Sequence, residues 1–486
     1  MGLLGILLGL VLLMWLAFRG WSILLLAPMA ALVAALANGE PLLAHWTQTF
    51  MGGAARFIGQ FFPLFLLGAL FGKLMEDSRS VSTIANFMTA KLGPSRSVMA
   101  VVLAGAIVTY GGVSLFVAIF VLVPMAQGLF RAADIPRRLM PAAAALGTST
   151  FTMSALPGTP AIQNAIPMPF FATTPFAAPG LGIIASAIML GFGLWWLGRA
   201  EAAARAAGEG YGPGSAQDHS IEEIVEDEGL RERASTAREF DPAELVHGRP
   251  ADDDPPILIA ALPLIVVIVV NFLMSMVVLP RLDTGFLAGA EWGGITLEAV
   301  AGVWSVATAL AAAILTLVVL NWNRLRGIRE TMDAGANASV LPVLSVASLV
   351  GFGAVVAALP AFEIVKEWVL SIGGGPLVSL AVSTNILAAL TGSASGGLTI
   401  ALDALGGTYL QLAADMGIDP ALLHRVAVIG AGTLDSLPHN GAVVTLLAVC
   451  GSNHREAYAD LFMVAIVGAL LALVAVIGLG SLVGSF

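Results

Sequence analysis

Six consecutive residues near the C-terminus, Asp435, Ser436, Leu437, Pro438, His439 and Asn440, bring together a carboxylate, a hydroxyl, a helix breaker, an imidazole and an amide. They stand inside GAGTLDSLPHNGAVVTLLAVCG (430–451), whose flanks are apolar enough to lie in lipid. An Asp at the centre of a bilayer costs about 2.5–3.5 kcal/mol on the insertion scale, so it normally faces a cavity and has a task. Asp435 and His439 are one helical turn apart if the helix persists across the break. Together they can hold and pass a proton. Asp403, in SGGLTIALDALGG, is the other deep acid. It is expected to join this coupling, or to sit near the outer surface.

A second broken stretch, TMSALPGTPAIQN, carries Pro157 and Pro160, which interrupt the hydrogen-bond ladder of a helix. Ser154, Gly158, Thr159, Gln163 and Asn164 there can address a ligand. Two further clusters are rich in small hydroxyls and glycines. TYGGVS supplies Tyr110, Gly111, Gly112 and Ser114; TGSASGG supplies Gly392, Ser393, Ser395 and Gly396. Glycine lets a ligand approach the backbone, and Ser and Thr donate neutral hydrogen bonds to carboxylate or hydroxyl oxygens. The competing reading is structural: small residues for close helix packing, and hydroxyls repairing a kinked backbone. His424 and His454 are expected at helix ends, in solvent.

These groups need a membrane scaffold. Of 486 residues, 58 % are hydrophobic and only 11 % charged, and the mean hydropathy is +0.91. A soluble chain carries roughly a quarter charged residues. Ile257–Val278, Val303–Leu320 and Leu461–Leu482 approach or exceed the ~20 apolar residues of a bilayer crossing. The chain reads as an all-α polytopic membrane protein. Gly2–Phe18 resembles a signal sequence but lacks a basic start and a small-residue cleavage site, so a mature helix is expected there. The single Cys450 excludes an intramolecular disulfide and a Cys-based metal cluster. No cofactor, metal or nucleic-acid partner is expected.

Thr109 precedes Pro157 by 48 residues, and Thr391 precedes Pro438 by 47. Order, spacing and chemistry agree, so the chain is an internal repeat. The first repeat spans 1–198: scaffold helices within 1–75, a re-entrant hairpin at 97–131, a broken helix at 137–168 and a closing helix at 178–198. The second spans 256–486: scaffold helices within 256–358, a hairpin at 376–412, a broken helix at 420–450 and a closing helix at 459–483. Each repeat has five crossings plus one hairpin. Five is odd, so the second repeat runs inverted.

Between the repeats lies the acidic linker, 199–255. Residues 198–255 hold 15 acids and 6 arginines, which accounts for −9 of the net charge of −10. IEEIVEDEGLRERAST is expected as a surface helix in an otherwise flexible, solvated segment. With both termini outside and the linker cytoplasmic, 18 of the 22 Lys and Arg fall on the cytoplasmic side. Only Arg56, Arg281, Lys366 and Arg425 fall outside. Broken helices and hairpins at membrane depth survive only when buried in protein or lining a wet cavity. In inverted-repeat carriers they meet near the midplane, where free N–H ends favour anions and unwound carbonyls favour cations.

GALFGKLMEDSRS (68–80), AGAIVTYGGVSLFVAIFVLVPMAQGLFRAADIPRRL (104–139) and ALGTSTFTMSALPGTPAIQNAIP (145–167) resemble the gluconate permease family of proton-coupled symporters. The resemblance implies an ion-transporter fold with scaffold and transport domains, a homodimer, elevator motion and a bacterial inner-membrane location. The second half departs from the gluconate carriers. NILAALTGSAS lacks the Arg and Gln they carry before the second tip, and SLPHNG is additional. Losing that Arg removes a bidentate carboxylate clamp. GSASGG with LPHNGAV looks like the branch of permeases for short hydroxy acids such as 3-hydroxybutyrate. The expected partners are a small organic-acid anion, protons and the bilayer. A sodium-coupled carrier is the nearest rival. An intramembrane metal hydrolase built on Asp435 and His439, or a channel, would be a different class. Neither H-E-x-x-H nor G-x-S-x-G is present.

Overall fold

The computed structural model describes residues 2–19, 21–212, 228–238 and 240–486. Among these the regular structure is helical throughout. Among the described residues seven helices are long and apolar enough to cross a membrane: Leu42–Asp77, Leu115–Ala132, Pro179–Ala206, Ile257–Arg281, Leu297–Leu320, Ile328–Ala358 and His454–Val483. Their outward faces expose Leu258, Leu315, Val319 and Val474, a surface suited to acyl chains. The two N-terminal helices, Gly2–Phe18 and Ile23–Ala37, have 17 and 15 residues, fewer than the ~20 of a full crossing. They pack against each other as a helical pair. Pro179–Ala206 outlasts its expected end at 198 by two turns. The sequence reading assigned no helix to Ser80–Leu92 or Phe362–Leu370, yet each half places one before its hairpin.

Both halves then follow one order. Ser97–Tyr110 and Leu115–Ala132 form the first hairpin, and Gly375–Thr391 and Ala394–Met416 the second. Each return arm starts at a capping serine. Ser114 Oγ accepts from the Phe116 N–H, and Ser393 Oγ from the Gly396 N–H at 3.1 Å, which satisfies donors that a helix start leaves unpaired. Gly112 (φ +100°) and Gly392 (φ +64°) make the reversals in the left-handed region that side chains disfavour.

Next comes an interrupted helix. In the first half, Met140–Thr148 gives way to short turns and restarts at Ile162–Ala165 and Pro167–Phe171. In the second, Pro420–Ala431 stops and Gly441–Val449 resumes, capped by Asn440. Close packing sets hairpin and broken helix side by side. A Cβ on Gly147 would strike the Val102 carbonyl, and one on Gly430 would lie 2.5 Å from Thr384 Oγ1.

The linker is the main departure from expectation. Residues 213–227, which include the start of the expected surface helix, lie outside the described residues. Glu228–Arg238 is a helix, but an inserted one: Ala234, Ser235, Thr236 and Ala237 are buried. Buried Glu232 accepts the Leu24 N–H (3.1 Å) and the Ser345 hydroxyl (3.3 Å). Arg231 grips Asp241 through two bonds, 2.8 and 2.5 Å. The linker's end is tied to the GKLMEDSRS motif. Asp77 pairs with Lys73 (3.1 Å) and accepts from Thr331 Oγ1 (2.6 Å) and the Arg249 N–H (3.0 Å). For helix 228–238 and Asp241 solvation was the wrong expectation, because composition averages over the segment, whereas Asp252, Asp253 and Asp254 are exposed. The acids that are buried here have specific donors.

Candidate functional site

Each hairpin tip reaches its own break. In the first half the Tyr110 hydroxyl donates to Pro157 O at 2.7 Å. A partly open pocket of about 80 Å³ lies between tip and break, lined by Thr109, Gly112, Ser114, Thr148, Pro160 and Gln163 among others. That volume holds a few waters. Gly111 is a packing position, since a Cβ there would collide with Leu264.

The first break has its backbone satisfied by protein. Gly158 (φ +78°) donates its N–H to Pro175 O at 2.9 Å and accepts from Asn271 Nδ2 at 2.9 Å. Thr159 Oγ1 accepts from the Ala161 N–H, and Thr159 O from Asn164 Nδ2 at 3.0 Å. Asn164 Nδ2 also donates to Pro175 O at 3.0 Å. Its Oδ1 must therefore be the acceptor for His424 Nε2 (3.2 Å) and Arg425 (3.5 Å). That arrangement puts the hydrogen of His424 on Nε2 and makes Nδ1 the acceptor for the Thr173 hydroxyl (2.7 Å).

His424 corrects the sequence reading: it is 0 % exposed, not solvated at a helix end, and Arg425 beside it is 0 % exposed too. Arg425 donates twice to Ala177 O (2.6 and 3.2 Å) and once to Ser154 O (3.5 Å). Sequence reasoning missed these residues and Asn271. The available signal was HR inside an apolar helix (Pro420–Ala431) that holds no acid of its own.

In the second half, Asn440 Nδ2 donates to Gly392 O at 2.8 Å and to Asp435 O, tying tip to break. His439 Nε2 meets Ala389 O at 3.0 Å. A carbonyl only accepts, so Nε2 carries the hydrogen and Nδ1 is the atom a proton would join. Asp435 is 2 % exposed and accepts from the Ser436 hydroxyl at 3.0 Å. Tyr458 donates to Ser436 O at 3.1 Å, much as Tyr110 serves the first break. Ser395 Oγ stands 3.1 Å from Ser393 Oγ.

The breaks also meet each other: a Cβ on Gly432 would lie 3.0 Å from the Ser154 Cβ. Asp403 alone stands apart, in a separate cavity on the hairpin's second arm. Around the second tip the linker helix closes in. Thr236 O accepts from Ser393 Oγ at 3.0 Å. A void of about 30 Å³ is lined by Arg233, Thr236, Gly392, His439 and Asn440.

Gly441 exists for this contact, since its Cβ would lie 2.5 Å from the Ala234 N and the Arg233 carbonyl carbon. Gly441→Ala is expected to expel helix 228–238 while favouring its own helix by about 1 kcal/mol. Protease cleavage between Arg231 and Arg238 should rise at least tenfold over the unaltered protein. Unchanged cleavage would refute the contact.

Interrupted helices buried against hairpin tips in a lipid-embedded helical chain define a membrane transporter. Residues 1–170 match the GntP family permease family. The uncharacterized transporter YxjC of Bacillus subtilis (strain 168) is 39 % identical over 487 residues, covering 98 % of this chain and 99 % of that protein. The chain belongs to the GntP permease family, whose members are transporters and not enzymes. Among solved structures, Neisseria gonorrhoeae MtrF, described as illuminating a class of antimetabolite efflux pumps, shares the fold. Its TM-score is 0.52 at 16 % identity, covering 90 % of this chain and 85 % of that one. The Alcanivorax borkumensis YdaH transporter gives 0.49 at 15 % identity, over 91 % and 89 %.

Proposed function

We propose that this permease is a secondary active symporter that takes up a small hydroxycarboxylate with protons by alternating access. The observation that carries the reading is the meeting of the two breaks at Ser154 and Gly432, with a hairpin tip bonded to each. Two copies of one motif in inverted orientation supply two related conformations, one open to each face. The cargo carboxylate is held by N–H groups and hydroxyls of Ser114, Thr159, Ser393 and Ser395, with Ser154, Ser436, Asn164 and Asn440 around it. Neutral donors suit a monoanion with one hydroxyl; Ser393, Asn164 and Asn440 spend theirs on Thr236 O, on Thr159 O and Pro175 O, and on Gly392 O and Asp435 O, so cargo binding exchanges those bonds. Asp435, with His439, takes the proton.

A monoanion carried with one proton moves no net charge. Only the pH difference then drives it, about 1.4 kcal/mol per unit, whereas a second proton adds about 2.3 kcal/mol per 100 mV. In proteoliposomes, uptake of 3-hydroxybutyrate is expected to follow an imposed pH difference and to ignore an imposed potassium diffusion potential. Uptake that follows a sodium gradient at fixed pH would instead establish the sodium-coupled carrier. The homodimer, the inner-membrane location and the external termini belong to the same proposal.

A further inference from the structure

The largest cavity described here, about 870 Å³, holds neither break. It opens between the first part of Leu42–Asp77, the end of Ile328–Ala358 and the return arm of the second hairpin. Its polar lining is Gln48, Thr49, Arg56, Gln60, Thr399 and Asp403. Arg56 and Asp403 are both exposed to this space. Neither is in an ion pair within 4 Å among the described residues; the Arg56 guanidinium acts on the Asp403 carboxylate from across the space, so a fork and a carboxylate face one cavity. So much polarity in a lipid-embedded chain requires water there.

One helix face joins the lining of this cavity to the proposed cargo site. Ser395, Thr399 and Asp403 recur every fourth residue, which puts them on one side of Ala394–Met416. The Thr399 hydroxyl donates to Ser395 O at 2.8 Å. Eight residues of helix rise about 12 Å, so the stripe leads from the wet cavity to the hairpin tip.

We infer that this cavity is a staging site for a small hydroxycarboxylate, with the cargo carboxylate on Arg56 and its hydroxyl donating to Asp403. The inference rests on the proposed function and adds a second, outer site to it. Arg56 binds the carboxylate through two parallel bonds, replacing the clamp that the second hairpin lacks. Asp403, ionised, only accepts, so it rewards a hydroxyl and repels a second carboxylate. The site therefore selects hydroxy monoacids over their deoxy analogues and over dicarboxylates. The cavity is larger than such a cargo, so the cargo stays partly hydrated and its hold is loose enough to pass inward.

Proteoliposome uptake of 3-hydroxybutyrate and butyrate by the full chain tests this, with Arg56→Gln and Asp403→Asn. Arg56→Gln is expected to raise KM at least tenfold for both acids, and Arg56→Lys to recover part of that loss. Asp403→Asn is expected to raise KM for 3-hydroxybutyrate alone and so to erase the preference over butyrate. Unchanged KM values in both variants, or a fall in kcat alone, would overturn the staging site while leaving the symport reading intact. No saturable uptake of either acid by the unaltered protein would overturn both.

Discussion

Asp435→Asn abolishes accumulation but not exchange: that is the expected result of the most decisive substitution. With one proton per monoanion, a one-unit pH difference supports about tenfold accumulation. The amide cannot take up a proton, so the ratio should fall to about one. Asn preserves the volume of Asp and can still accept from the Ser436 hydroxyl, which now bonds Asp435 at 3.0 Å. The fold should therefore survive, and exchange of internal unlabelled for external labelled cargo should continue. Accumulation that still follows pH in Asp435→Asn would remove Asp435 from the coupling. His439→Gln gives a graded comparison, because His439 holds Ala389 O through Nε2 and an amide can keep that bond.

Arg425→Ala should be the most destabilising single change at the site. It deletes the donors of Ala177 O and Ser154 O and one of the two to Asn164 Oδ1, which keeps His424 Nε2, in a place that is 0 % exposed. Each stranded acceptor costs about 1–3 kcal/mol, and truncating a large buried side chain adds a cavity. Against this stands the relief of an unpaired buried cation. Arg425→Met separates the two, because it fills the space and removes the charge. A loss of roughly 3–5 kcal/mol is expected for Ala, read as thermal unfolding in detergent, with a smaller loss for Met. Equal stability of Arg425→Ala and the unaltered protein would show that the guanidinium is not what holds the first break. Loss of the first break should also remove uptake, since Ser154 bridges Arg425 to Gly432.

The helical class, the two hairpins and the two interruptions were legible because each has a local cause. Apolar runs too long for a soluble core, capping serines at Ser114 and Ser393, and prolines at Pro157 and Pro438 act within a few residues of themselves. The tip–break bonds were foreshadowed by matched spacing in the two halves. Asn164 was picked out correctly as a polar residue at the break, but its amide turns out to be consumed by Thr159 O, Pro175 O, His424 and Arg425. It secures the break's architecture.

By itself the sequence determined the helical membrane class and the residues standing at each reversal, because hydropathy, proline and glycine act on their own segment of chain. Only the tertiary structure decided what those residues face. His424 and Arg425 look like a polar helix end until Ala177 and Asn164, about 250 residues away in the chain, close over them. The linker helix looks solvated until Glu232 finds Leu24 and Ser345. Burial of a polar group depends on whether a distant partner arrives to replace its water, and that partner is not written in the local sequence.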